Sequence, residues 1–199
     1  MMVLVLQWSR GLLFWLATGI AGAVCAQGAA LDARLQERLI QCGACHGEDG
    51  NSRIENIPSL AGQPEFFVMN QLFLMREGVR RIDAMAPFVR ELKDDELQGL
   101  ASYYSKLAPK PSGEAIDAAL AKRGAVLSTS LRCASCHLPS LAGQEQMPRL
   151  AKQRLDYLIH SLREFRDNKR SGADTMMSAT VLGVSDADLA ALAHFAASQ

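Results

Sequence analysis

Apolar residues recur along most of this chain at three- and four-residue steps, and no segment alternates persistently in the manner of a strand. Residues 32–45 place Leu35, Leu39, Cys42 and Cys45 at helical spacing. Residues 64–77 carry Phe67, Leu72 and Met75 inward and open on Pro64, where a missing amide is tolerated. Residues 93–107 set Leu97, Leu100 and Tyr104 on one face, and Asp94, Asp95 and Glu96 favour a helix N-terminus there. The pattern predicts further helices over 114–136, 152–168 and 185–197, the last with Ser185 as N-cap and Asp188 three residues on. An all-α fold follows.

The second half of this series repeats the first. Cys42-Gly43-Ala44-Cys45-His46 aligns with Cys133-Ala134-Ser135-Cys136-His137, and Pro58-Ser59-Leu60-Ala61-Gly62-Gln63 with Pro148-Arg149-Leu150-Ala151-Lys152-Gln153. Further on, Phe67 meets Tyr157, Leu72 meets Leu162, Arg76 meets Arg166, Arg80 meets Arg170, Met85 meets Met177 and Leu97 meets Leu189. A second echo, Pro139 to Gln144, repeats the letters of Pro58 to Gln63 but lies out of register. Between the halves, Pro109-Lys110-Pro111-Ser112-Gly113 stops a helix and makes a linker. The expected organisation is a first domain over 27–108, a linker over 109–113 and a second domain over 114–199.

Residues 1–26 read as an export signal: Arg10 precedes an apolar run that ends in small residues, with Val24 and Ala26 at the cleavage positions. The alternative is an uncleaved anchor, since the uncharged run from Gly11 to Leu31 just reaches bilayer length. Cys25 does not mark a lipoprotein, because Val24 before it is too large for such a site.

Composition adds two constraints. Net charge is zero, so there is no basic footprint for nucleic acid. The halves differ slightly: residues 27–108 hold nine Lys/Arg against twelve Asp/Glu, and residues 109–199 eleven against nine. Only 6% of residues are aromatic, and small helical domains with so thin a core need a staple: disulfide, metal or cofactor.

The cysteines identify the staple. C-x-x-C-H is the attachment pattern for c-type haem: two thiols add across the porphyrin vinyl groups, and the adjacent histidine is held under the ring where it ligates iron. Disulfides would leave the histidine after each pair unexplained. A shared zinc site would draw on pairs 91 positions apart, and a thioredoxin-like pair would need strands between helices. Cys42, Cys45, Cys133 and Cys136 are therefore the expected attachment points of two haems, with His46 and His137 as iron ligands. Met85 lies 39 residues after His46 and Met177 lies 40 after His137, each expected in a loop before the last helix of its repeat. A thioether there is the expected sixth ligand; the competing role is ordinary core filling. Met176 is the rival of Met177, which is preferred because Met85 and Met177 both stand 12 residues before the matched leucines. Met69, Met75, Met147, His160 and His194 have no counterparts and read as packing or surface residues.

C-x-x-C-H, then P-x-L-A-x-Q, a helix ending near Arg-x-x-x-Arg, a methionine and a final helix, all repeated, resembles the two-domain cytochrome c4 family over nearly the whole exported chain. The resemblance implies two class I cytochrome c domains, each with three main helices around one haem, joined by a pseudo-twofold interface near the haem propionates. It also implies that the carbonyls of Pro58 and Pro148 accept the Nδ1 protons of His46 and His137, which fixes the tautomer and raises ligand basicity. One departure is visible: Gly47-Glu48-Asp49-Gly50 follows the first motif, but Leu138-Pro139-Ser140 follows the second, so the second pocket is expected to differ at its edge. The expected function is periplasmic electron transfer without bond chemistry. The donor would be a quinol-oxidising complex or a periplasmic dehydrogenase, and the acceptor a membrane oxidase or other terminal reductase. Arg80 and Arg81 are candidates for a docking patch, and retention of the signal would tether the protein to the membrane.

Overall fold

The computed structural model describes residues 19–172 and 175–199, with side chains from Ala33 onward. The expected export signal falls largely outside the described residues, as does the side chain of Cys25. The first repeat holds α1 (Gly19–His46), α2 (Glu65–Arg76), the short α3 (Ala86–Val89) and α4 (Asp94–Ser105). The second holds α5 (Ala118–Ser130), the short α6 (Ala134–His137), α7 (Leu155–Arg166), α8 (Thr175–Val181) and α9 (Asp186–Ala197). Among the described residues there is no β-strand, only an isolated bridge between Gln144 and Met147. No single described helix is long and apolar enough to cross a membrane.

Each repeat crosses its first helix against its last. In the first, Leu35 and Leu39 of α1 pack on a cluster of Val89, Leu92, Leu97, Leu100 and Tyr104 that α2 joins through Leu72 and Met75. Arg38 locks the same crossing from its rim, donating to the buried carboxylate of Glu96 at 3.1 Å, whose other oxygen accepts the Lys93 N–H and caps α4. In the second, α5 meets α9 so closely that only Gly124 fits: a Cβ there would stand 2.6 Å from the Ala191 carbonyl carbon and nearer still to its oxygen. Ser185 caps α9 as expected, accepting from Asp188 N–H at 3.2 Å.

The helix expected over 114–136 is shorter and broken. Residues 108–117 form no helix and α5 starts only at Ala118, with Asp117 accepting from the amides of Ala119 and Leu120. Glu114 is drawn instead to α7, where its carboxylate accepts the N–H groups of Leu155 and Asp156. A turn with Arg132 at φ 56° then separates α5 from α6, so the second motif sits on its own helical turn.

The matched arginines have a matched task. Arg76 donates to the Leu92 carbonyl at 3.0 Å and pairs with Asp94 at the start of α4. Arg166 donates to the Val184 carbonyl at 3.2 Å and pairs with Asp186 at the start of α9. Each clamp closes the segment that carries its repeat's candidate methionine.

Candidate haem sites

The first site starts at the end of α1. One helical turn brings Cys42 and Cys45 to the same side; Cys42 is half-buried, Cys45 is exposed, and neither is in a disulfide. Burial pushes the Cys42 thiol up. His46 is buried, with Nδ1 2.8 Å from the Pro58 carbonyl oxygen. That oxygen can only accept, so Nδ1 carries the proton. Burial lowers the His46 pKa, partly offset by the bond to Pro58, and the ring is neutral with its Nε2 lone pair open to a metal. The second site repeats this arrangement: Cys133 half-buried, Cys136 exposed, and buried His137 with Nδ1 2.9 Å from the Pro148 carbonyl oxygen. Burial, again partly offset, lowers the His137 pKa.

The loops after the histidines explain both the departure and the displaced echo. Gly47 has φ 85°, and a Cβ there would stand 2.9 Å from the Asn51 carbonyl carbon. Its counterpart Leu138 is held at φ 68° and ψ 158°, an extended ψ required by Pro139. Gly50 accepts from the amides of Leu60 and Ala61, and Leu141 accepts from those of Leu150 and Ala151. Leu141 thus stands where the first repeat has Gly50, with its side chain buried in the second core. The echo Pro139–Gln144 therefore occupies the loop equivalent to residues 48–53, and the carbonyl that accepts from the His137 ring comes from Pro148 instead.

Met85 immediately precedes α3 and is half-buried in the cluster that contains Cys42, Leu97 and Leu100. Met177 lies within α8, half-buried against Val181, Leu189 and Leu192, whereas Met176 is 72% exposed. The expected loop holds at Met85, which lies in a turn just before α3, and is corrected at Met177, which lies in the first turn of α8. The docking role for Arg80 is also corrected. Arg80 is buried and donates to Gln71 at 2.6 Å, while Arg81 is exposed and its amide donates to Ser171 Oγ at 2.7 Å.

The two sites meet at the interface between the repeats, through residues that the sequence aligned without pairing. Ser59 N–H donates to Gln153 Oε1 at 2.8 Å, and Gln153 Nε2 donates to the Ser59 carbonyl at 2.9 Å. Arg149 N–H donates to Gln63 Oε1 at 2.9 Å, and Gln63 Nε2 donates to the Arg149 carbonyl at 3.0 Å. All four residues are buried. Arg149 also reaches into the first repeat, where its Nε donates to the Ala61 carbonyl at 3.1 Å. Burial lowers its pKa to about 10. Its Nη2 is buried with no hydrogen-bond partner among the described residues.

These features fit haem c. Two thiols and one neutral imidazole stand on each motif, and an incompletely paired buried guanidinium between them matches the carboxylates that a porphyrin carries. Among the described residues no three His, Cys, Asp or Glu side chains gather to hold a bare metal ion, so the shared zinc alternative has no site.

Comparison with known proteins agrees. Residues 121–199 match the family profile described as "Cytochrome c", and residues 20–103 match that of "Cytochrome C oxidase, cbb3-type, subunit III". Cytochrome c4 of Pseudomonas aeruginosa is 31% identical, covering 90% of this chain and 93% of that protein. A protein of Thiomonas intermedia named "Thiosulfate dehydrogenase electron acceptor" is 32% identical over 95% of this chain and 87% of its own. The crystal structure of reduced recombinant cytochrome c4 from Pseudomonas stutzeri superposes with a TM-score of 0.76 at 31% identity, covering 83% of this chain and 96% of that one. With two such domains in one chain and near full-length relatives above 30% identity, the chain belongs to the cytochrome c4 family, as a two-haem electron-transfer cytochrome.

Proposed function

We propose that this cytochrome works in the periplasm, taking electrons from a quinol-oxidising complex or a periplasmic dehydrogenase and delivering them to a terminal oxidase or reductase. The first domain spans 27–108 and the second 114–199, joined by 109–113. Cys42 and Cys45 would hold one haem and Cys133 and Cys136 the other, with His46 and Met85 as iron ligands in the first and His137 and Met177 in the second. When bound, the haems supply two one-electron couples. The protein supplies everything that sets them. Pro58 and Pro148 fix the imidazole tautomers, and the apolar clusters at Met85 and Met177 exclude water. Arg149 offers a buried positive charge to propionate carboxylates. The relative named as an electron acceptor of thiosulfate dehydrogenase supports a dehydrogenase among the donors.

The observation that carries this reading is the pair of neutral, carbonyl-anchored imidazoles, each in a repeat that also half-buries a methionine at the matched position. Carbon monoxide added to the reduced protein tests it. The wild type should bind none, and Met85→Ala and Met177→Ala should each bind one equivalent. Rapid binding to the wild type would reveal an open iron and favour a peroxidase-like enzyme.

A further inference from the structure

We infer that Gln63 and Gln153 are positioning residues that act across the interface, each tuning the axial histidine of the other domain; this rests on His46 and His137 as iron ligands. The carbonyl of Pro58 and the N–H of Ser59 belong to one peptide group. That group accepts from His46 Nδ1 at 2.8 Å and donates to Gln153 Oε1 at 2.8 Å. The peptide between Pro148 and Arg149 likewise accepts from His137 Nδ1 at 2.9 Å and donates to Gln63 Oε1 at 2.9 Å. Each chain of bonds runs imidazole to peptide to glutamine, and each crosses from one domain to the other.

A peptide that donates through its N–H becomes a stronger acceptor at its oxygen, because the two bonds polarise one another. A stronger acceptor draws the Nδ1 proton and makes the imidazole more electron-donating, which favours ferric iron. Gln153 of the second domain therefore lowers the potential of the first haem, and Gln63 of the first lowers that of the second. The glutamine Nε2 groups add a return bond to the carbonyl of residue 59 or 149, which keeps each amide from turning over.

The test uses the full two-haem protein, with a spectroelectrochemical titration followed by NMR so that each haem is read separately. Gln153→Leu should raise the first haem's ferric-to-ferrous equilibrium constant about threefold, or ~30 mV at 59 mV per tenfold for one electron. The His46 Nδ1–H resonance of the reduced protein should move upfield, and the second haem should hold its potential. Gln63→Leu should give the mirror pattern. Gln153→Glu keeps an acceptor for Ser59 N–H and makes it stronger, so the first haem's potential and the His46 resonance should move the opposite way. Asp156→Asn, which weakens the Asn56–Asp156 interface bond at 3.1 Å, should produce no crossed pattern. Equal shifts at both haems, or the same sign for Leu and Glu, would show that the glutamines only fasten the domains. Failure of the ligand reading itself shows separately, as wild-type histidine ring protons without the shifts of an imidazole bound beneath a porphyrin.

Discussion

Gly124 and Gly99 give paired substitutions whose outcomes should differ in sign. Both lie inside helices at the crossing of a repeat's first and last helix. Replacement by Ala gains the same ~1 kcal/mol of helix propensity at each. At Gly99 the new methyl would meet the end of the Leu35 side chain, with Cδ2 at 2.9 Å and Cδ1 at 3.1 Å, which a small rotation relieves. At Gly124 it would meet the backbone carbonyl of Ala191 and the Phe195 Cβ at 2.7 Å, and no rotamer change moves either. Restoring ordinary contact there requires α5 and α9 to separate by about 1 Å along their packed length, an overpacking cost of ~3 kcal/mol. Gly124→Ala should therefore lose ~2 kcal/mol net. For a domain of this size that is a fall of about 10 °C in the second domain's melting temperature. Gly99→Ala should be neutral or up to ~1 kcal/mol more stable. Far-UV circular dichroism read with haem absorbance during guanidinium unfolding would follow both, treating the two domains as separate transitions. A Gly124→Ala protein as stable as the wild type would refute the close-packed crossing.

Two further outcomes follow from the clamps and the interface. Arg166→Ala removes the bond to the Val184 carbonyl and the pairing with Asp186, so the Met177 segment should open more often and cyanide should bind the oxidised second haem about tenfold faster. Arg76→Ala should do the same at the first haem only, and equal rates in both variants and wild type would remove this role. Burial pushes the Tyr157 phenol up, but the guanidiniums of Arg170 and Arg80 outweigh it and bring its pKa to about 8. The unfolded value is near 10, so the ionised phenol's contribution is complete above about pH 10 and lost as pH falls through about 8. Stability should thus rise by ~1–2 kcal/mol between pH 8 and 10, and Tyr157→Phe should abolish the rise; a rise that persists in the variant would refute it.

Spacing along the chain made the haem attachment sites legible, because thiol, thiol and imidazole must stand on one helical turn for the chemistry to work. It also made the helices at Leu97–Tyr104 and at Ser185–Asp188 legible, because their faces and caps are local. The helix expected over 114–136 misled for the opposite reason: apolar periodicity continues through residues that Asp117 and Glu114 spend on capping α5 and α7. The short helices at Met85 and Met177 are too brief to leave a periodic signal. Arg80 looked like surface because charge in a sequence reads as exposure, whereas in the fold it is buried beside Gln71 and beside Tyr157, Arg170 and Glu164 of the second repeat.

The sequence by itself determined the duplication, the all-α class, the four thioether-forming cysteines and the identity of the histidine beside each pair, since each of these is a property of residues near one another in the chain. What only the tertiary structure decided is how the copies address one another. Gln63 and Gln153 stand at matched positions in the sequence, yet nothing in either repeat says that their amides cross the interface. Nor does it say that they bind the peptides following Pro58 and Pro148 rather than their own loops. Nor does it show that Arg149, where the first repeat has Ser59, is buried between the two sites with one nitrogen unpaired. Those contacts depend on the relative orientation of two surfaces 86 to 94 residues apart in sequence, which local periodicity does not encode.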